Sequence, residues 1–159
     1  MRLAAFSLAL ALMPPGALAD DDHADHLSEL GGIRAIHAWT RATSQDDALV
    51  FVEIENTGDE TVTLQGGQAE IATGGELVGF RLKNGNESHV ALPGIPVAPK
   101  TTLILAPGAA AIRLSGLTRP LRQGEAFEAG LDFDIGTLAV HVETEAADAD
   151  RHSHAGHGH

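Results

Sequence analysis

Histidine is the residue type in this sequence whose placement points most directly to chemistry. Six of the nine histidines stand near the two ends of the chain, and they are His23, His26, His152, His154, His157 and His159. Neutral imidazole is a ligand for copper(II), zinc and nickel. A His-x-His pair in an extended peptide brings two rings close enough to share one ion, so the C-terminus is predicted to be a metal-binding tract. A solvated tail without metal, or a purification tag, is the alternative interpretation.

The N-terminal histidines lie in an acidic segment. Asp20-Asp21-Asp22-His23 combines carboxylates with an imidazole and, once a leader is removed, a free amino group. This set of oxygen and nitrogen ligands also suits copper(II). His23 and His26 are therefore candidate ligands, although the sequence does not decide between copper, zinc and nickel.

The remaining histidines, His37, His89 and His141, stand in the middle of the chain. For each of them a structural or surface role is favoured over a metal-binding role. His37 is expected to be half-buried beside Trp39, and His89, close to an Asn84-Gly85 turn, is expected to be exposed.

No catalytic constellation accompanies these residues. The serines lack a Gly-x-Ser-x-Gly setting, and no His-Glu-x-x-His occurs, so an enzyme is not predicted. The formal net charge of −12 argues against nucleic acid and anionic membranes as partners and is compatible with binding cations. Cysteine is absent, which excludes disulfides and thiolate metal sites.

The N-terminus has the pattern of an export signal. Arg2 precedes an uncharged apolar run from Leu3 to Met13, and Ala17-Leu18-Ala19 supplies a small-x-small cleavage pattern. The run is shorter than the roughly 20 residues that a membrane-spanning helix needs. We therefore predict cleavage after Ala19, release into the periplasm, and no stable membrane anchor, since no cysteine follows for lipidation.

The residues after the leader predict an all-β domain. Short runs rich in β-branched and aromatic residues, such as 49–55 and 101–105, alternate with Gly, Pro and Asn turns, and no long helical period occurs. Along 33–40 the residues Ile33, Ala35, His37 and Trp39 alternate with their neighbours, which predicts a strand with those four on one face. One helical turn is expected at 27–30.

Four segments follow from this interpretation. They are a signal peptide (1–19), an acidic His-containing segment (20–32), a β-domain (33–145) and a His-rich tail (146–159). The tail contains no apolar residue larger than Ala, so it is expected to be disordered rather than packed.

Several segments, in order along the chain, carry a resemblance to a known family. His37-Ala38-Trp39-Thr40-Arg41-Ala42-Thr43 resembles the Trp-x-Arg-Ala-Thr opening of the periplasmic copper chaperones called PCu(A)C, and 50–59 is similar to their strand and Asn-x-Gly turn. Residues 93–99, 105–108 and 116–125 resemble later family segments. The resemblance covers 33–144, and it implies a cupredoxin-like β-barrel or sandwich and delivery of copper to cytochrome c oxidase assembly, notably the CuA centre.

The copper(I) ligands that this resemblance implies, His and Met, are replaced. The first His position corresponds to Val78, the following Met position falls near Glu87 or His89, and the late His-x-Met corresponds to Ala111-Ile112-Arg113. Both Met residues of the chain, Met1 and Met13, lie in the predicted signal. The usual copper(I) site is therefore not expected, although His89 remains a candidate ligand as a relic or replacement.

These observations favour a copper chaperone or copper-buffering protein whose metal, of uncertain oxidation state, has moved from the barrel to the His-rich ends. A zinc- or nickel-binding protein of the periplasm uses the same ligands and is a second interpretation. A third is a metal-free β-barrel that docks on an oxidase-assembly partner.

Overall fold

Strands account for all the regular secondary structure in residues 27–152, the part of the chain that this computed structural model describes. The prediction of an all-β domain is confirmed there. The strands are β1 (Leu27–Leu30), β2 (Ile33–Arg41), β3 (Asp47–Asn56), β4 (Val62–Ala69), β5 (Ala72–Lys83), β6 (Asn86–Ala91), β7 (Ile95–Val97), β8 (Thr102–Leu105), β9 (Ala110–Leu117), β10 (Ala126–Phe133) and β11 (Gly136–Glu145).

The strands form one sheet in the order β6-β5-β9-β3-β2-β11-β10-β4-β7, with β1 paired to β2 and β8 paired to β3. Neighbouring strands are antiparallel except β11 and β2, which run parallel. Strands β4 and β5 stand far apart in this order, yet their backbones touch, because a Cβ on Gly75 would overlap the Gly67 carbonyl oxygen. This close approach of two glycines brings distant parts of the sheet together and curls it around a core.

The core is built by period-two alternation. On β3, for example, Ala48, Val50, Val52 and Ile54 point into it, and all are 8% exposed or less. Phe51 lies between them on the opposite surface of the sheet, which we call the outer face. The outer face carries a second, smaller group of buried residues, the apolar cluster, which consists of Trp39, Phe51, Val78 and Ala111.

A β-bulge in β2 decides which residues reach the outer face. The register against β3 shifts between Ile36 and Trp39, and His37 has a φ of 52°. An extra residue at a bulge reverses the alternation beyond it. Ala38 therefore joins the main core, and Trp39 lies on the outer face. The predicted strand is confirmed, but the predicted face shared by Ile33, Ala35, His37 and Trp39 is wrong beyond Ile36.

Two turns test the local predictions. The Asn84-Gly85 hairpin is confirmed: both residues have positive φ, 53° and 79°, as a type I′ turn between β5 and β6 requires. The helical turn expected at 27–30 is wrong, because that segment is β1. Gly31 and Gly32, with φ of 55° and 84°, reverse the chain so that β1 pairs with β2.

No helix in residues 27–152 could span a bilayer.

Candidate metal centre

Residues 146–152, which we call the strap, fold back over the outer face. Ala149 N–H donates to the Ala146 carbonyl at 3.0 Å, which turns the chain after β11. Arg41 Nε then donates to the Ala149 carbonyl at 2.6 Å. Ala149 also packs against the apolar cluster. The expectation that nothing after Glu145 packs is wrong for 146–152, because backbone hydrogen bonding and small side chains suffice to seat this segment.

The strap carries His152 to two carboxylates at the end of β11. His152 Nδ1 lies 2.9 Å from Glu145 Oε1, and His152 Nε2 lies 3.6 Å from Glu143 Oε2. One ligand atom from each of the three residues falls within 4.8 Å of the other two. We call this group the His152 site. Its histidine side chain is 9% exposed and that of Glu145 is 10% exposed, so most of the site is shielded from water.

Alternation along β11 places both carboxylates on the outer face. Val142 and Thr144 point inward and are buried, so Glu143 and Glu145 point outward. Their parallel pairing with β2 sets Glu143 opposite Trp39 and Glu145 opposite Arg41. The outer faces of β2 and β11 thus form one surface under the strap.

The bulge residue His37 completes the surroundings of the site. Its ring stacks on that of His152, with centroids 5.4 Å apart and planes 25° apart. A bulge often re-aims a side chain beside a functional site. His37, expected to be half-buried, has intermediate exposure and lies against the imidazole that could bind metal.

The arrangement offers ring nitrogen and carboxylate oxygen to a cation. Zinc accepts both ligand types at bond lengths of about 2.0–2.2 Å. Copper(II) also accepts nitrogen and oxygen ligands, whereas copper(I) favours thiolate and thioether sulfur. The chemistry of the His152 site therefore suits a divalent ion.

His89, another predicted ligand, lies elsewhere on the outer face. It is exposed on β6, and its ring forms a T-shaped pair with that of Phe80 at a centroid distance of 6.2 Å. It borders a cavity of about 330 Å³ whose lining includes Arg41, Phe51, Arg113 and Ala147. Within residues 27–152, the metal-compatible group does not include His89.

The positions to which the family resemblance assigns copper(I) ligands do come together. Val78 on β5 is paired with Ala111 on β9, and both lie in the apolar cluster with exposures of 0% and 3%. Arg113 is on the same face and forms an ion pair with Glu76, with Nε 3.1 Å from Oε1. These side chains offer hydrocarbon and a cation where a copper(I) ion needs soft donors, so they do not fit that ion.

The other predicted ligands, His23, His26, His154, His157 and His159, lie outside the residues that the structure describes. Sequence reasoning missed Glu143 and Glu145. The sequence did carry a signal for them, because His141, Glu143 and Glu145 occupy alternate positions of a predicted strand. His141 pairs instead with Glu128, its Nδ1 lying 2.8 Å from Oε1, at an exposed position.

A separate charged turn precedes β10. Arg119 Nη1 donates to Glu125 Oε2 at 2.7 Å, and this hydrogen bond lowers the pKa of the Glu125 carboxyl below its usual value. The group is exposed to solvent, and we assign it a role in shaping the turn.

Comparisons with known proteins agree with this architecture. A curated relative, "Putative lipoprotein Lxx21020" of Leifsonia xyli subsp. xyli, is 31% identical over 109 residues, which is 68% of this chain and 66% of the relative. This chain's match thus spans slightly less than two thirds of that relative's length.

Solved structures of PCuAC domains share the fold. The apo domain from PmoF1 has a TM-score of 0.64 at 24% identity, over 76% of this chain and 99% of that domain. The copper-bound domain from PmoF2 has a TM-score of 0.63 at 21% identity, over 76% and 98%. CuI-DR1885 from Deinococcus radiodurans has a TM-score of 0.56 at 24% identity, over 72% and 79%.

These likenesses confirm the predicted resemblance to PCu(A)C proteins and the cupredoxin-like β-fold. A family model described as "LpqE-like: Putative lipoprotein LpqE-like" matches residues 33–144, nearly the whole β-domain. The chain belongs to the LpqE-like family.

Proposed function

We propose that this protein is an exported copper-binding protein that carries or buffers copper outside the cytoplasm, without catalysing a reaction. Its metal is held by histidines near the chain ends and not by the barrel positions used in PCu(A)C proteins. The observation that carries the proposal is the seating of His152 between Glu143 and Glu145.

The choice of copper is supported by the neighbours in fold. The PmoF2 domain is a copper-bound form, and CuI-DR1885 carries copper(I). In the present chain the terminal histidines supply nitrogen ligands that suit copper(II) ahead of zinc and nickel. The proposed destination, the copper centre of cytochrome c oxidase or a copper-homeostasis partner, rests on the PCu(A)C resemblance.

Export is supported by the leader pattern at residues 1–19 and by the description of the family as putative lipoproteins. We propose a periplasmic protein whose leader is cleaved after Ala19. N-terminal sequencing of protein recovered from the periplasm tests this, and a first residue other than Asp20 would contradict the cleavage site.

Titration of the full chain with copper(II), zinc and nickel, and with copper(I) under reductant, tests metal binding. We expect tight copper(II) binding that is lost when His23, His26, His152, His154, His157 and His159 are all replaced by asparagine. The control is the pair of changes His89→Asn and His141→Asn, which should leave the affinity unchanged. Tighter binding of zinc or nickel at cellular concentrations would favour the scavenger alternative.

One observation favours the third interpretation, a metal-free docking module. The apolar cluster fills the implied ligand positions with buried side chains and so stabilises the barrel without metal. If the full chain binds no metal but is still needed to load the oxidase in cells, the docking module replaces our proposal.

A further inference from the structure

We infer that Glu143, Glu145 and His152 form a site for one divalent transition-metal ion, copper(II) or zinc, that discriminates against copper(I). The inference deepens the proposed function, on which it rests. It assigns the ion to a folded surface of the domain, shared between β11 and the strap.

One pair of ligand atoms has close to the separation that binding of a common ion requires. Two ligand atoms bound at about 2.0–2.2 Å in tetrahedral geometry are separated by roughly 3.3 Å. The 3.6 Å separation of His152 Nε2 and Glu143 Oε2 is close to that value, and all three candidate ligand atoms lie within 4.8 Å. Glu145 Oε1 contacts the other ring nitrogen, Nδ1, at 2.9 Å, so an ion bound at Nε2 would draw the Glu145 carboxylate away from that contact, and a water molecule would supply the fourth ligand.

Charge and burial favour occupancy. Two carboxylates lie on one side of a strand, and Glu145 is 8% exposed. A carboxylate that is shielded from water attracts a cation more strongly than an exposed one, because the local dielectric constant is lower. A divalent ion with a neutral imidazole would neutralise both carboxylates at once.

An independent observation is that two strands, β11 and β2, hold the strap and its imidazole in place. Beside the two carboxylates of β11, the His37 ring stacks on His152 from the bulge of β2. The hydrogen bond from Arg41 to the Ala149 carbonyl fixes the strap three residues before His152. Groups that orient a ligand histidine raise the metal affinity of a site, and their loss costs about 10–100-fold.

The ligand set decides the class of ion. Oxygen and imidazole nitrogen favour copper(II) and zinc, and copper(I) favours sulfur. The chain has no cysteine, and its two methionines are Met1 and Met13, in the predicted leader. The site therefore differs from the PCu(A)C copper(I) site in both location and preferred oxidation state.

The test uses the full chain with His23, His26, His154, His157 and His159 replaced by asparagine, so that the His152 site is isolated from the other terminal histidines. Calorimetric titration with zinc and with copper(II) should give one ion per chain. Adding His152→Asn, or Glu143→Gln together with Glu145→Gln, should weaken binding on the order of 100-fold, since each change removes ligands and not only orienting groups.

The matched control is Glu128→Gln with His141→Asn, which removes an exposed carboxylate–imidazole pair of the same type on neighbouring strands. It should leave the affinity unchanged. The single change Glu143→Gln, at a partly exposed side chain, serves as a second variant if the double change impairs folding, which thermal unfolding without metal would reveal.

The inference is overturned if the isolating background binds no ion, or if the glutamine variants bind as tightly as their parent. In either case copper binding by the natural chain would leave the proposed function standing with ligands elsewhere. If the natural chain also binds no metal, both the inference and the proposed function fail.

Discussion

The outer face of the sheet has two ends with opposite chemistry. Around Val78 and Ala111 it is apolar and buried, with Trp39 and Phe51 packed at a ring-centroid distance of 4.8 Å. Around His152 it is polar and rich in ligand atoms. The strap joins the two ends, since Ala149 packs on the apolar cluster and His152 lies three residues later.

The comparison shows that backbone register and ligand chemistry are separable. Strands β5 and β9 still set Val78 beside Ala111, where the resemblance implies copper(I) ligands, but the side chains there now stabilise the barrel. Strand β11 and the strap supply N and O ligands at the other end. One sheet thus supports a packing surface and a candidate metal site, according to the side chains that it presents.

The largest effect is expected from removing a large side chain from the apolar cluster. Phe51 is 1% exposed and contacts Trp39, so Phe51→Ala should lower the free energy of unfolding by about 3–5 kcal/mol. Urea denaturation measures this. Leu82→Ala is the control, since Leu82 is 62% exposed and its truncation should cost less than about 0.5 kcal/mol. Equal effects of the two changes would show that the cluster is not a second core.

The next effect tests whether metal fixes the strap. Trypsin can cleave after Arg151, whose side chain is 87% exposed, once the strap lifts from the sheet. Zinc at about 100 times its dissociation constant stabilises the closed strap by about 2.7 kcal/mol, so cleavage should slow about 100-fold. Cleavage after Lys100, in a turn away from the strap, is the internal control. If the cleavage rate at Arg151 does not depend on zinc, metal binding does not hold the strap closed.

Placing the His and Met ligands that the resemblance implies at the apolar end should give that end copper(I)-binding chemistry. The combination Val78→His, His89→Met, Ala111→His and Arg113→Met puts soft donors at the apolar end, and copper(I) binding should appear. Histidine at the buried Ala111 position overpacks the cluster, so the combination should also cost about 1–3 kcal/mol of stability. Competition with a chromophoric copper(I) chelator measures the gain. The prediction fails if the natural chain competes with the chelator for copper(I) equally well.

A smaller effect is expected at the anchor of the strap. Arg41 Nε donates to the Ala149 carbonyl, and the guanidinium lies 6.0 Å from the Phe51 ring centroid. Arg41→Lys keeps the charge but loses the planar donor. The free energy needed to open the strap should fall by about 1.5 kcal/mol. Trypsin should then cleave after Arg151 roughly tenfold faster in the metal-free protein. Arg34→Lys, at an exposed position of the same strand, should leave the rate unchanged.

Much of the fold followed from local sequence signals, and the site followed only in part. Period-two alternation and the Asn84-Gly85 turn predicted strands and a hairpin because both signals act over a few residues. The bulge at His37 was missed, since one extra residue changes the register without changing the composition of the strand.

The His152 site was missed because it depends on tertiary contacts. His152 was predicted as a ligand from its residue type, and Glu143 and Glu145 stood on an outward face that alternation already indicated. The expectation of disorder for the strap rests on its lack of large apolar side chains. Its actual contacts are the Ala149 carbonyl, which binds Arg41, and the His152 ring, which lies on His37.

The most direct test of where the metal chemistry lies is an NMR titration of the full chain with zinc, which is diamagnetic. We predict that the backbone and side-chain signals of Glu143, Glu145 and His152 shift and reach saturation together, while those of Val78 and Ala111 stay in place. Shifts at Val78, His89 and Ala111, with unchanged signals at Glu143 and Glu145, would contradict the account.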